Sequence, residues 1–204
     1  MTRLIFIRHA ATDCSQDRLA GRNADVHLSA DGKVQGERLA HGLRQQRIGR
    51  IYSSPQPRAR ETAQFLAELF GETVRIAPEI DEIDFGAWTG RTFEELREIA
   101  QWREFNLARS CTRIPNGDLM VEVQARVLAL IERLCGRHPT MTLALVSHAD
   151  VIRVALAHCL GMPLDLLLRL EVSPASISIV AMERYGPRVL CINNMGELGD
   201  QKFC

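Results

Sequence analysis

The sequence predicts an α/β fold: three α/β/α layers with a mostly parallel central sheet and a small helical insert. Three observations carry this. Short apolar runs of strand length alternate with longer segments of helical spacing along most of the chain, the pattern of a sheet covered by helices on both faces. Three of those runs end abruptly in polar residues, Arg8-His9, Ser53-Ser54 and Ser147-His148. Composition is that of an ordinary globular chain, with 46% apolar and 25% charged residues over 204 positions. A chain of this size buries roughly 70% of its unfolded surface and needs no disulfide or metal staple. One domain over 1–204 is expected, with the insert at about 89–120.

The elements follow in order. Leu4 to Ile7 is an uninterrupted apolar run, as for a strand buried on both faces. Ser29 caps a helix over about 30–46 that aligns Leu39 and Leu43 on one side. Arg50 to Ser53 is a second strand, closed by Ser54-Pro55. A helix over about 57–70 spaces Ala59, Ala63, Leu66, Ala67 and Phe70 at helical intervals. Val74 to Ile76 is a third strand. Helical pattern returns over about 93–107 and about 121–135, with Pro115-Asn116-Gly117 between them. Thr142 to Val146 is the fourth strand, followed by a helix over about 151–160. Ile177 to Met182 and Val189 to Ile192 close the pattern as a hairpin around Tyr185-Gly186-Pro187. The stretch after Asn194 has no periodicity, and is expected to be loosely ordered or to cover a sheet edge.

Charge and cysteine content narrow the function. Twenty-five basic and 25 acidic residues balance to a net charge of +0, against a nucleic-acid or membrane-surface binder, which is usually basic. The six cysteines are scattered without a CxxC pair, and no run resembles a signal peptide or a membrane span. A reduced, cytoplasmic protein is expected, as a monomer or homodimer. Lys33 and Lys202 are the only lysines; the remaining cations are arginines, whose planar forks suit bidentate anion binding.

In a parallel sheet, ligands bind beyond the carboxyl ends of the strands. If the three polar-tipped strands are neighbours, Arg8, His9, Arg58 and His148 converge there. Two guanidiniums would repel a divalent cation, so an anion is the natural guest, and a phosphoryl group suits both forks. A neutral imidazole is a competent nucleophile, and flanking arginines disfavour its protonation. Its second nitrogen should then donate to a backbone carbonyl. The leaving oxygen needs an acid; the loop after the third strand offers Glu79, Asp81, Glu82 and Asp84, among which composition does not choose.

These segments resemble the histidine phosphatase superfamily, in its phosphoglycerate-mutase-like branch. Arg8-His9-Ala10-Ala11-Thr12 is similar to the Arg-His-Gly motif. Gly21-Arg22-Asn23-Ala24-Asp25-Val26-His27-Leu28, with Gly32 and Gln35, resembles the loop and helix start that follow. The stretches from Ser53 to Ala63, from Glu82 to Gly90 and from Val146 to Arg153 resemble the later signatures, in family order.

The resemblance implies that His9 is the phosphorylated nucleophile. Arg8, Arg58 and His148 would complete the phosphate pocket, and Glu82 would be the acid. It places Thr12, Ser15, Gly21, Arg22 and Ala149 against the substrate. It implies no metal and no organic cofactor. Ala10 and Ala149 stand where the family usually has glycine, which is tolerable if neither backbone needs positive φ. The larger mutases of the family carry a Tyr, a Lys and an Arg pair in their insert, whereas the stretch from Trp88 to Pro115 has none of these. The expected activity is therefore hydrolysis of a phosphorylated metabolite, as in broad-specificity or α-ribazole phosphatases, with a phosphomutase or a non-catalytic phospho-ligand module as alternatives. The expected partner is a small phosphorylated substrate, with no nucleic acid and no membrane. Trp88 and Trp102 are expected to pack the insert, and Cys14 to fill space in the first site loop.

Overall fold

The computed structural model describes residues 1–14 and 17–196. Its six-stranded sheet runs β3-β2-β4-β1-β5-β6, built from β1 (Thr2–Arg8), β2 (Ile48–Ser53), β3 (Val74–Ile76), β4 (Thr142–Ser147), β5 (Ile177–Glu183) and β6 (Gly186–Asn194). The first four are parallel where they pair; β5 lies antiparallel to β1, and β6 to β5. The polar-tipped strands β1, β4 and β2 are adjacent, so their ends converge as the sequence predicts.

Side-chain alternation divides the core. Ile5, Ile7, Ala144 and Val146 face α1 (Ala30–Leu43) and α2 (Pro57–Phe70). Leu4, Phe6, Leu143 and Leu145 face α5 (Met120–Arg137) and α6 (Ala149–Cys159). This is the three-layer arrangement, and each central strand is buried on both faces. No helix among the described residues is long and apolar enough to cross a membrane.

Local signals set the helix starts. The Ser29 hydroxyl accepts from the Gly32 amide at 3.0 Å and caps α1. Gly32 lies where a Cβ would stand 1.9 Å from the Ala11 carbonyl oxygen, so only glycine lets α1 pass the loop after β1. Pro57 opens α2, with its fixed φ in place and no amide to satisfy.

The largest differences from the expected elements fall at three places. The first helix ends at Leu43, where the Arg44 amide turns back to the His41 carbonyl. The helix expected over 93–107 is two, α3 (Phe93–Arg97) and α4 (Ala100–Leu107). Ile99 is extended at the break, and the bend brings Leu96, Ile99, Trp102 and Phe105 to the same core. The hairpin turns at Arg184-Tyr185, with Gly186 already in β6. Met195 and Gly196 follow β6, and residues 197–204, the rest of the aperiodic tail, lie outside the described residues.

Candidate active site

A cavity of about 510 Å³ opens at the carboxyl ends of the strands, with Arg8, His9, Thr12, Arg58 and Glu82 in its wall. Each reaches it from a different element. Arg8 ends β1 and His9 follows it, where the chain leaves the sheet. Arg58 is the second residue of α2, only 1% exposed. Glu82 lies in the loop after β3, and His148 joins β4 to α6. His148 is fully buried beneath the cavity floor, meeting the His9 ring edge-on.

His9 is the best-defined group. Its Nδ1–H donates to the Ala10 carbonyl at 2.8 Å, which leaves Nε2 bare. Burial first, then the positive charges of Arg58 and Arg8, push its pKa down to about 3, against a smaller opposing effect of the Ala10 hydrogen bond. The ring is therefore neutral at physiological pH. The following loop is held by its own amides: Ala10 N–H donates to Thr62 Oγ1 at 3.1 Å and Ala11 N–H to Gln35 Oε1 at 2.9 Å. Neither Ala10 nor Ala149 has positive φ, so the methyl groups at these positions add no backbone strain.

The arginines are anchored by backbone carbonyls. Arg8 Nη1 donates to Val172 at 2.7 Å, and Arg58 Nη2 to Gly21 at 2.7 Å. Gly21 has φ +53°, in the left-handed region that favours glycine, and its Cβ position would be 2.8 Å from Thr89 Oγ1. Burial lowers the pKa of both arginines, yet a guanidinium keeps its charge in a protein.

Glu82 faces Arg58 Nη2 at 3.9 Å and His148 Nδ1 at 3.4 Å. Burial raises its pKa to about 7, with Asp150 adding to the rise and Arg58 and Arg8 opposing it. Its carboxyl is thus about half protonated at pH 7 and increasingly so below it. His148 is depressed far below the ordinary range, by burial first and then by His9 and the surrounding arginines. A neutral His148 has one donor, and Ser54 Oγ at 2.8 Å receives it from Nε2; Ser54 Oγ in turn donates to Asp81 Oδ1 at 3.0 Å. Nδ1 of His148 is left as an acceptor towards Arg58 and Glu82.

The outer residues divide. Thr12 and Gly21 line the cavity. Arg22 is turned to the Glu82 carbonyl at 2.8 Å and to the carboxylates of Asp118, Asp81 and Asp84 at 3.0, 3.5 and 3.6 Å. Ala149 opens α6, half-buried, next to His148. Ser15 lies outside the described residues. Cys14 is half-buried in the cavity wall, which Leu19, Ala20, Phe85, Phe93 and Pro174 also line.

The sequence did not reveal the supporting roles of four residues, of which only Arg126 lies outside the segments it had marked. Ser54, marked only as a strand tip, holds His148, and Asp81, marked only as one of four acids, holds Ser54. Thr62 follows Arg58 by one helical turn. Arg126, in the middle of α5, donates to the Asp81 and Glu82 carbonyls at 2.7 and 3.2 Å; no motif marks it.

A profile of the histidine phosphatase superfamily (branch 1) matches residues 4–195. The chain belongs to this superfamily. Phosphoserine phosphatase 1 of Hydrogenobacter thermophilus is 30% identical to this histidine phosphatase over 202 residues, 98% of this chain and 96% of that one. A probable phosphoglycerate mutase of Yersinia enterocolitica is 29% identical over 182 residues, 88% of this chain and 85% of that one. A mutant phosphoserine phosphatase of Entamoeba histolytica, solved with phosphoserine, superposes with a TM-score of 0.88 at 26% identity, covering 97% of this chain and 100% of that one. Phosphatase activity of the histidine type is what the family and these relatives support for this chain.

Proposed function

We propose that this histidine phosphatase hydrolyses a small phosphomonoester through a phosphohistidine on His9, without a metal, and with Glu82 as proton donor. One observation carries the reading: the His9–Ala10 hydrogen bond, which leaves Nε2 free to attack. Nε2 forms a bond to phosphorus while the ester P–O bond breaks on the opposite side. The departing alkoxide takes the proton of Glu82. Water then attacks the phosphohistidine and returns a proton to the Glu82 carboxylate, releasing inorganic phosphate and restoring His9. Arg8 and Arg58 hold the phosphoryl oxygens, and their charge offsets what develops in transfer. In that arrangement Thr12 and Gly21 meet the substrate, and Arg22 acts through the Glu82 backbone.

Metal independence is supported by the charge of the pocket, because the guanidiniums of Arg58, which is buried, and Arg8, which is half-buried, oppose a divalent cation. Hydrolysis in preference to mutase transfer is supported by the stretch from Trp88 to Pro115, which holds neither lysine nor tyrosine to clamp a doubly charged substrate. The cavity suits a small phosphorylated metabolite, and the phosphoserine bound by the Entamoeba relative is of that scale.

Hydrolysis of p-nitrophenyl phosphate in EDTA, for the native protein and His9→Ala, tests the reading. Activity that survives the chelator, disappears in His9→Ala and passes through an acid-labile, base-stable phosphoprotein is expected. Activity lost to EDTA and kept by His9→Ala would overturn it.

A further inference from the structure

The helical segment between the Glu82 loop and α5 grips both sides of the site. On one side, Trp88, six residues past Glu82, stacks edge-on against Trp102 at 5.2 Å and Phe105 at 5.5 Å. On the other, Arg109 reaches α6. Its Cζ sits 4.5 Å from the centre of the Phe105 ring. Its Nη2 donates to Asn106 Oδ1 and its Nη1 to Asp150 Oδ2, both at 2.8 Å. Asp150 follows His148 by two residues, in the first turn of α6. Its other oxygen accepts from Arg153 Nη1 at 2.8 Å, and Arg153 Nε donates to the Leu170 carbonyl at 2.7 Å, two residues before the Val172 carbonyl that holds Arg8. Arg109 is 4% exposed. A buried arginine aimed from the insert at the helix behind His148 is costly to desolvate, and packing alone would be served by an apolar residue.

We propose that Arg109 and Asp150 form a positioning pair, which docks the insert onto the helix of His148 and balances the electrostatic field at Glu82. The pair touches neither the cavity nor the proposed reacting atoms; it acts through Glu82 and His148, 3.4 Å apart. The proposal rests on Glu82 being the proton donor.

The electrostatics support it. Burial pushes Asp150 upward, but Arg109 and Arg153 together outweigh burial and hold it below the ordinary carboxylate range. Ionised, it favours the protonated form of Glu82. The other groups facing Glu82 are Arg8 at the end of β1, His9 just after it, Arg58 from α2, Arg126 from α5 and His148. Asp81 is its neighbour, and Arg22 holds its carbonyl. Asp150 is the anion that offsets these cations, and Arg109 tempers it.

The test is the titration of Glu82, read by carbon NMR of its side-chain carboxyl and by the alkaline limb of kcat, in the native protein, Asp150→Asn, Arg109→Gln and Arg109→Lys. Removing the anion should lower the midpoint by roughly 0.5–1 pH unit, and removing Arg109, which leaves Asp150 paired with Arg153, should raise it by a smaller amount. Arg109→Lys keeps the charge and should leave the midpoint in place. The only two tryptophans of the chain lie in the stacked cluster, so their fluorescence reports docking separately: a red shift is expected in Arg109→Gln. Midpoints that do not move, or that move the same way in Asp150→Asn and Arg109→Gln, overturn the proposal. A native protein that titrates as described but hydrolyses no phosphomonoester overturns the proposed function and leaves the positioning pair standing.

Discussion

His148 meets His9 edge-on, with ring centroids 5.2 Å apart and planes inclined by 61°. Two imidazolium rings at this distance, beneath two arginines, would repel each other strongly. Burial keeps both neutral, and each has one ring N–H directed to an oxygen, the Ala10 carbonyl for His9 and the Ser54 hydroxyl for His148. The neutrality of this pair underlies both the proposed attack by His9 and the acid sensitivity expected of the site.

The first prediction concerns acid stability. His9 is held at about 3 against an ordinary 6.5, so the unfolded chain binds its proton first. Stability from this depressed group is fully present above pH 6.5 and is lost as pH falls toward 3. His9→Asn should show a shallower loss of stability than the native protein across that window. Urea unfolding at a series of pH values measures it; parallel curves would contradict the assignment.

Glu82 behaves in the opposite sense. Its raised pKa means that its stabilising contribution is present below pH 4.5 and is lost as pH rises through about 7. Glu82→Gln should therefore match the native protein near pH 4.5 and melt higher at pH 8. The same carboxyl must be protonated to serve the leaving group, so native kcat should decline above about pH 7. With an alkyl phosphate, whose leaving group is poor, Glu82→Gln should lose on the order of 10²–10⁴ in rate. With p-nitrophenyl phosphate, whose leaving group needs little protonation, the loss should be far smaller. Equal losses on both esters would remove Glu82 from the acid role.

Ser54 supports the second histidine. It accepts from His148 and donates to Asp81, which also accepts from Gln56 Nε2 and the Glu82 amide. Ser54→Ala leaves a buried ring N–H without its partner. We expect kcat to fall about tenfold with little change in KM, since the group is a positioning one. Steady-state kinetics decide this, with Ser54→Thr as the variant that keeps the hydroxyl.

Thr62→Val removes the acceptor for the Ala10 amide while keeping the shape of the side chain. A buried amide left unpaired costs about 1–3 kcal/mol, and it lies next to His9, the proposed nucleophile. Denaturant unfolding should register that loss, Thr62→Ser should recover most of it, and the rate should fall in Thr62→Val by more than the lost stability alone explains. An unchanged rate would show that the loop after β1 is held sufficiently by Gln35.

Much of this protein was determined by the sequence alone. Leu4 to Ile7 and Thr142 to Val146 could be read as strands, and Ser29 and Pro57 as helix starts, because hydrophobic period and capping are local properties. Polar tips on three such strands, with the parallel-sheet rule, were enough to bring His9, Arg58 and His148 to one edge. The break at Ile99 was not legible, since it depends on a core that Leu96, Trp102 and Phe105 share with distant segments. Composition left four acidic residues open in the loop after β3. The structure distinguishes Glu82 by what faces it, the Arg58 and His148 side chains; Asp81 is equally buried but is turned to Ser54 and Gln56, and Asp84 is more exposed. The bare nitrogen of His9, the turning of Arg22 to carboxylates and the support from Arg126 were likewise decided by tertiary structure. Protonation and hydrogen-bond partnership depend on charges and carbonyls brought together from segments far apart in the chain, and no local pattern of residues encodes those neighbours.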